Sequence, residues 1–511
     1  MVAAGILLSR ILGLVRNRVF AHFLGTSDAA DAFNAAFRIP NFLQNLFGEG
    51  VLSASFIPVY ARLLSRGEDQ EARRVAGAVF SLLALTGSLL VLLGVLVTPA
   101  LIALIAPGFS GEKREVTIRL VRILFPGAGL LVLSAWCLGV LNSHRRFFLS
   151  YTAPVLWNLA IISSLILFGN SARGYRLAEW AAWGSVAGSA LQFGIQLPTV
   201  LRLLGGMVIT VERSSAAVRT VIRNFVPVFV GRGVVQISAY VDTVLASFLP
   251  TGAVAALSYA QVLYTLPVSL FGMSVSAAEL PAMSSETGEG SELAAQLRGR
   301  LNRGLRQIAF FVVPSAVAFL ALGDVIVGAL YQSGQFTRGM TLYVWGILAG
   351  SAVGLLASTL GRLYASTFYA LQDTRTPLRF SIIRVAQTIV LGYVFAIPLP
   401  GWLNLDPRWG AAGLTVSSGL AAWVEFSLLR QALSGRIGST GIPGRLMARL
   451  WGGAAAASVA GAVVKLAFAP QHPIVVALFS LGMYGVAYLA ITAELGVPEA
   501  RRILARVPWF R

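Results

Sequence analysis

About fourteen stretches of this chain are long and apolar enough to cross a bilayer as helices, each needing about 20 mostly apolar residues. They lie near 2–24, 30–60, 73–104, 118–141, 149–169, 177–203, 220–249, 253–283, 303–331, 340–370, 377–398, 410–434, 446–468 and 473–494. Of the 511 residues, 56% are hydrophobic and only 12% charged. A soluble domain carries about twice that charge fraction, so lipid is the natural solvent for this chain. The expected fold class is therefore an all-α polytopic membrane protein. Its helices are expected as two pseudo-symmetric six-helix lobes, at 1–205 and 206–436, followed by two C-terminal helices and a cytoplasmic tail at 437–511.

The net charge of +19 invites a nucleic-acid reading, but the distribution of arginine answers it. Cytoplasmic loops of membrane proteins are enriched in Lys and Arg. Every second connection is rich in Arg: Arg62, Arg66, Arg73 and Arg74, then Arg145 and Arg146, then Arg202, Arg213 and Arg219. The series continues with Arg298, Arg300, Arg303 and Arg306, then Arg375, then Arg436 and Arg445, and finally the tail. The connections around 25–28, 248–252 and 469–473 carry none. One stretch breaks the alternation, with Lys113, Arg114, Arg119 and Arg122. The pattern puts both termini in the cytoplasm and accounts for most of the basic charge without nucleic acid. No cleavable signal peptide with a basic flank opens the sequence, so the first segment is expected to stay as a membrane helix.

The chain also repeats itself. FLGT (23–26), LFG (46–48) and Pro58 recur as FLPT (248–251), LFG (270–272) and Pro281, at an offset near 225. A duplicated bundle is a recurrent plan of secondary transporters, with the substrate site near mid-membrane between the repeats.

Charge inside the spans narrows the reading further. On the second segment Asp31, Arg38, Asn45 and Glu49 fall within about 40° of one helical face. Asn34 and Asn41 lie at its edge. A charge at the bilayer centre costs a few kcal/mol or more, so this stripe faces a water-filled cavity or neighbouring helices, not lipid. Pro40, Glu49 and Gly50 mark the candidate gate, and Pro40, Gly48 and Gly50 are expected to interrupt the helix where it bends. Arg10 and Arg16 lie in the first segment, Arg232 and Asp242 in the seventh, Arg362 in the tenth and Arg384 in the eleventh. Arg232, Gln236 and Thr243 share a face of the seventh. The alternative for each is a packing role in a salt bridge, for example Arg16 with Asp31. As a set, guanidinium groups outnumbering intramembrane acids suit an anionic, phosphate-bearing substrate, which they can hold bidentately. Glu49 is a candidate proton carrier; Glu279, beside Pro281, is expected to anchor its helix.

Chemistry on bonds has little support. Cys137 is the only cysteine, and His22, His144 and His472 are never at metal-ligand spacing. No P-loop motif occurs, and no loop offers a paired acid and base. No catalytic residue, metal or cofactor is expected.

The motifs resemble those of the MurJ/MviN lipid II flippases of the multidrug/oligosaccharidyl-lipid/polysaccharide exporter superfamily. The matching stretches are SRILGLVRN (9–17), DAFNAAFRIPNFLQNLFGEGVLSASFIPVYA (31–61) and APGF (106–109). LNSHRRFFLSYTAPVLWN (141–158), SGQFT (333–337) and FYALQDTRTP (368–377) follow in the family's order. The resemblance implies fourteen helices, a V-shaped pair of lobes, and alternating access driven by membrane potential or an ion gradient. It also implies a groove for the polyprenyl tail formed with the last two helices. The implied substrate is lipid II or a related polyprenyl-diphosphate-linked glycan, carried from the inner to the outer leaflet of the bacterial inner membrane during cell wall biogenesis. Membrane lipids and the cell-wall synthesis machinery are the other implied partners. Arg10 and Arg16 match the family's cavity arginines, Asp31 its acidic residue, Glu49 and Gly50 its gate motif, and Arg362 a basic position on the tenth helix. Asn17 stands where the family usually has Asp, and Gln44, Asn45 and Val262 where it usually has arginine. Arg232 is the candidate to restore charge lost at Val262.

Three other functions remain: a flippase for another polyprenyl-linked glycan, a multidrug exporter of the same superfamily, and a non-transporting membrane scaffold.

Overall fold

The computed structural model describes residues 2–47, 49–206, 210, 215–225, 240–286 and 291–505. Among the described residues every regular element is a helix. In hydrocarbon a backbone must satisfy its own N–H and C=O groups, and a helix does so within one segment. Among the described residues ten helical segments are long and apolar enough to span a membrane. The full count of fourteen rests on the sequence pattern. The expected seventh segment lies largely outside the described residues, with helix at 216–225 and at Val241–Ala246.

The described chain divides into two compact units, Met1–Ala255 with Ser333–Phe336, and Ala256–Gln332 with Thr337–Arg511. The first contains α1 (Val2–Leu24), α2 (Asp28–Phe47), α3 (Glu49–Ser55), α4 (Ile57–Ser65) and α5 (Asp69–Ile105). It continues with α6 (Gly111–Ser143), α7 (Phe147–Phe168), α8 (Tyr175–Leu204), α9 (216–225) and α10 (Val241–Ala246). Here α2 packs on α6, α1 on α7, α5 on α6, and both α6 and α7 on α8. The helices α1 and α2 are long enough to span, but each carries three charged residues. Pro40 does not interrupt α2, which runs on to Phe47, and Gly50 lies inside α3. Proline removes one ladder hydrogen bond, yet here Ile39, Pro40 and Leu43 are all buried and packing holds the helix through it.

The second unit holds most of α11 (Ala253–Pro267), a π-helical turn (Val268–Met273), α12 (Ser274–Ser284), α13 (Ser291–Ala321) and α14 (Gly323–Tyr331). Then follow α15 (Arg338–Ala370), α16 (Arg375–Ala396), α17 (Pro398–Trp402), α18 (Gly410–Ile437), α19 (Gly444–Ala467), α20 (Pro473–Glu494) and α21 (Pro498–Leu504). The packing order of the first unit recurs: α12 and α13 pack on α15, and α15 and α16 on α18. The helices α15 and α18 approach so closely that a Cβ on Gly354 would stand 2.3 Å from the Cα of Gly419. Close backbone approach at small residues is how helices associate where lipid offers no hydrophobic drive. The last two long helices, α19 and α20, pack on each other.

Backbone detail fixes the register of the repeat. In the first unit Arg146 N–H donates to Leu141 O and Arg145 N–H to Asn142 O. In the second, Asp373 N–H donates to Phe368 O and Gln372 N–H to Tyr369 O. Both are Schellman caps, and Arg145 and Gln372 both take positive φ, 58° and 59°. Phe109 N–H donates to Ala106 O, and Phe336 N–H to Ser333 O. Residues 145 and 372 differ by 227, as do 109 and 336. In the second repeat the LFG motif at 270–272 lies in the π-helical turn. A π turn costs ladder geometry and is used mostly where a helix must bend or serve a function.

The boundary between the two units falls at Ala255. A dense polar knot explains why residues up to Ala255 go with the first unit, and it leads to the site.

Candidate functional site

Asp31 sits one turn into α2 with its side chain 2% exposed. Its Oδ2 receives Lys113 Nζ at 2.7 Å and the Gly252 N–H at 2.7 Å, while Oδ1 accepts from the Ala255 N–H at 2.8 Å. Lys113 also reaches Asp28 Oδ1 at 2.8 Å and lies 4.3 Å from the ring centroid of Phe109. Thr251 Oγ1 donates to Asp28 Oδ1 at 3.0 Å. Gly252 is obligatory: its φ is +93°, and a Cβ there would stand 2.5 Å from Thr26 O. A buried carboxylate costs several kcal/mol to desolvate and is tolerated because a cation and two amides meet it.

This knot explains the break in the arginine alternation. Lys113 is taken by two aspartates, and Arg119 pairs with Glu179 at 2.7 Å. The cation that meets Asp31 is Lys113, not the Arg16 offered as an example of a packing partner. Asp31 lies near one end of its helix, whereas Arg10 is fourteen residues, about 21 Å, from the adjoining end of α1. Arg10, Arg16 and Asp31 therefore do not form a single cluster.

Arg16 is held differently. Its Nε and Nη2 donate to Asn17 Oδ1 at 3.3 and 3.1 Å. Its guanidinium lies 5.1 Å from the Trp157 ring centroid and 5.9 Å from that of Phe37. Phe37 and Trp157 stack at 5.7 Å, and Phe33 stacks on Phe37 at 5.4 Å. The aromatic shelf fixes the guanidinium by cation–π attraction, and Asn17 orients it without adding negative charge. Arg10, six residues earlier, is exposed on the same helix.

Arg38 is half-buried on α2, in the field of Asp242 from α10. Tyr240 hydroxyl donates to Arg38 O at 2.8 Å and its ring meets Phe42 edge-on. Asn45, two turns on, is exposed, and Gln44 is half-buried. Glu49 and Gly50 form the start of α3. Arg232 and Gln236 lie outside the described residues.

In the second unit Arg362 is exposed on α15. Arg384 Nη1 pairs with Glu425 Oε2 at 2.9 Å, and Ser381 donates to Glu425 Oε1 at 2.8 Å. Glu279 Oε2 lies 3.7 Å from Arg300 Nη1, and Arg300 also bonds Glu286. The sequence reading missed Lys113, Trp157, Tyr240 and Glu425 as partners. Only Lys113 left a signal, as the one basic cluster out of place.

Comparison with known proteins adds the last observation. The family model described as "Lipid II flippase MurJ" matches residues 20–489. The chain belongs to the MurJ family. It is 34% identical over 415 residues to a probable lipid II flippase MurJ of Rhizobium tropici, covering 78% of this chain and 76% of the relative. It is 30% identical over 430 residues to the lipid II flippase MurJ of Burkholderia cenocepacia, covering 83% and 80%. A solved MurJ in an inward closed conformation aligns over 97% of this chain and 98% of its own, with a TM-score of 0.78 at 24% identity. An inward-facing multidrug resistance MATE transporter aligns over 84% and 95%, with a TM-score of 0.66 at 16% identity, and shares the fold. Asn17 meets Arg16 as a neutral amide.

Proposed function

We propose that this chain is a flippase that carries lipid II from the inner to the outer leaflet of the bacterial inner membrane by alternating access. The observation that carries this reading is Arg16, a guanidinium on a membrane-length helix, oriented by an aromatic shelf and an amide. Such a group suits a diphosphate that must leave bulk water, since charge-assisted bonds to phosphate strengthen as the site dries. Arg10 and Arg38 are its proposed companions, and Arg232 and Arg362 are further proposed substrate-binding arginines. The MurJ membership and the relatives named as lipid II flippases support the substrate. We take the driving force to be membrane potential or an ion gradient. The cell-wall synthesis machinery is the proposed protein partner. Gln44, Asn45 and Val262, where the family usually has arginine, favour one second reading, a different polyprenyl-diphosphate-linked glycan.

Depleting the resident lipid II flippase of a bacterial host and supplying this chain tests the proposal. Restored growth is expected; lysis despite normal membrane abundance of the chain, with lipid II retained in the inner leaflet, contradicts it.

The proposed topology has both termini in the cytoplasm. Gly299 lies exposed with open space around a Cβ, and Gln471 is exposed in the loop after α19. Each is replaced by cysteine in a Cys137→Ala background and treated with an impermeant thiol reagent on intact spheroplasts. Labelling is expected at 471 and not at 299, and the reverse result inverts the whole assignment. Gly252 is unsuitable for this purpose because any side chain there collides with Thr26.

A further inference from the structure

The repeat-related Schellman turns are built alike and finished differently. In the second unit the turn carries Asp373, and its charge is consumed locally. Asp373 accepts from the backbone N–H groups of Arg375 and Thr376 at 3.0 Å and from the Thr376 hydroxyl at 2.7 Å. Arg436 meets it at 2.6 Å. The Thr376 amide and hydroxyl, with Arg436 behind them, push the Asp373 carboxyl down to about 2. The turn is closed on itself.

In the first unit the matching positions are Arg145 and Arg146, followed by Phe147 and Phe148. Both arginines are exposed, and neither has an ion pair among the described residues. Phe147 is 37% exposed and Phe148 65%. His144 adds no charge at neutral pH: burial holds it below the usual histidine range, Asp69 notwithstanding, and Arg146 adds to the effect. Its ring is engaged by the Tyr60 hydroxyl at 2.9 Å. Arg145 adopts φ 58°, a conformation for which glycine is the ordinary choice. The turn thus presents two guanidinium groups and two bare aromatic rings together at the mouth of α7, a spanning segment. Such a pairing of basic and aromatic side chains fits the membrane interface, with charge at the headgroup level and rings at the acyl boundary.

We propose that the turn Arg145–Phe148 is a binding site for an anionic phospholipid of the inner leaflet. The two arginines take the headgroup phosphate, and Phe147 and Phe148 enter the acyl boundary. The leaflet rests on the topology proposed above; the binding chemistry does not.

The full chain, purified in detergent and titrated with phosphatidylglycerol or phosphatidylcholine, is read by counting retained lipids in native mass spectrometry. Wild type is expected to prefer phosphatidylglycerol, and the preference should fall about fivefold for each arginine removed. Arg145→Gly is the clean deletion, because glycine suits the positive φ and the fold is kept while the charge is lost. It is combined with Arg146→Ala, and an unchanged unfolding midpoint confirms an intact protein. The double lysine variant should retain most of the preference, since a lipid phosphate at the surface responds chiefly to charge. An undiminished preference in the Gly/Ala variant overturns the proposal. So does displacement of phosphatidylglycerol by equimolar undecaprenyl diphosphate in wild type but not in the variant, which would make the turn an entry point for the transported lipid. The measurement involves no transport, so a failure of the flippase reading leaves its outcome unaffected.

Discussion

Replacing Lys113 with methionine is expected to destabilise the protein by about 3–5 kcal/mol, the cost of leaving a buried carboxylate without its cation. Asp31 is almost wholly out of solvent, and Lys113 is the cation that meets it. The two amide donors, Gly252 and Ala255, do not carry a full charge and cannot replace it. Asp31→Asn alone should cost less, because an amide oxygen still accepts a backbone N–H. The double variant Lys113→Met/Asp31→Asn should recover most of the loss, since no buried charge is then left. Asp28 contributes little to this balance, being 45% exposed and solvated. The measurement is the thermal unfolding midpoint of the four purified proteins. An unchanged midpoint for Lys113→Met, or a double variant no better than the single, would show that the ion pair does not hold Asp31.

Much of this fold could be read before any coordinates, because lipid leaves few alternatives. An apolar run of about 20 residues must be a helix, and the arginine alternation orders the loops. The repeat was visible as FLGT and FLPT, though its register became firm only with the Schellman turns at Arg145 and Gln372. What the pattern could not give was tertiary pairing. Periodicity put Asp31 on a face with Arg38, and nothing in it names Lys113, 82 residues away, as the partner. Pro40 read as a break for the same reason. Local propensity argues for interruption, while Ile39, Pro40 and Leu43 are buried and α2 packs on α6, a tertiary contact the local pattern does not contain.

The site was legible as a charge inventory and illegible as geometry. Counting intramembrane arginines against acids suggested an anion, but Arg384 turned out to have Glu425, an acid in the middle of α18 that the count had missed. Asp242, on the same expected segment as Arg232, lies where its charge acts on Arg38 of α2. Asn17 read as a lost acid next to Arg16. In the structure it is a hydrogen-bond acceptor for that arginine, so the departure changes the charge of the contact and keeps its orientation.

Arg16→Ala is therefore expected to abolish complementation while leaving membrane abundance near wild type. A charge-assisted bond to a phosphate contributes about 1.5–3 kcal/mol, which corresponds to roughly a tenfold to hundredfold loss of transport rate for the first bond lost. A forked guanidinium makes two such bonds, so the fall should exceed what a flipping assay needs in order to resolve it. Arg16→Lys should lie between alanine and wild type, because the ammonium keeps the charge, loses the fork and fits the aromatic shelf less well. Trp157→Leu supplies the independent check. It removes the surface 5.1 Å from the guanidinium without touching the charge, so transport should fall by less than in Arg16→Ala. It should also lower the difference between Arg16→Lys and wild type when the two changes are combined, since the fork is then no longer held in place. Normal growth of Arg16→Ala in a depleted host would make this arginine a packing residue of α1 and α7. Equal defects in Arg16→Ala and Arg16→Lys, with strict additivity to Trp157→Leu, would show that the shelf does not orient it.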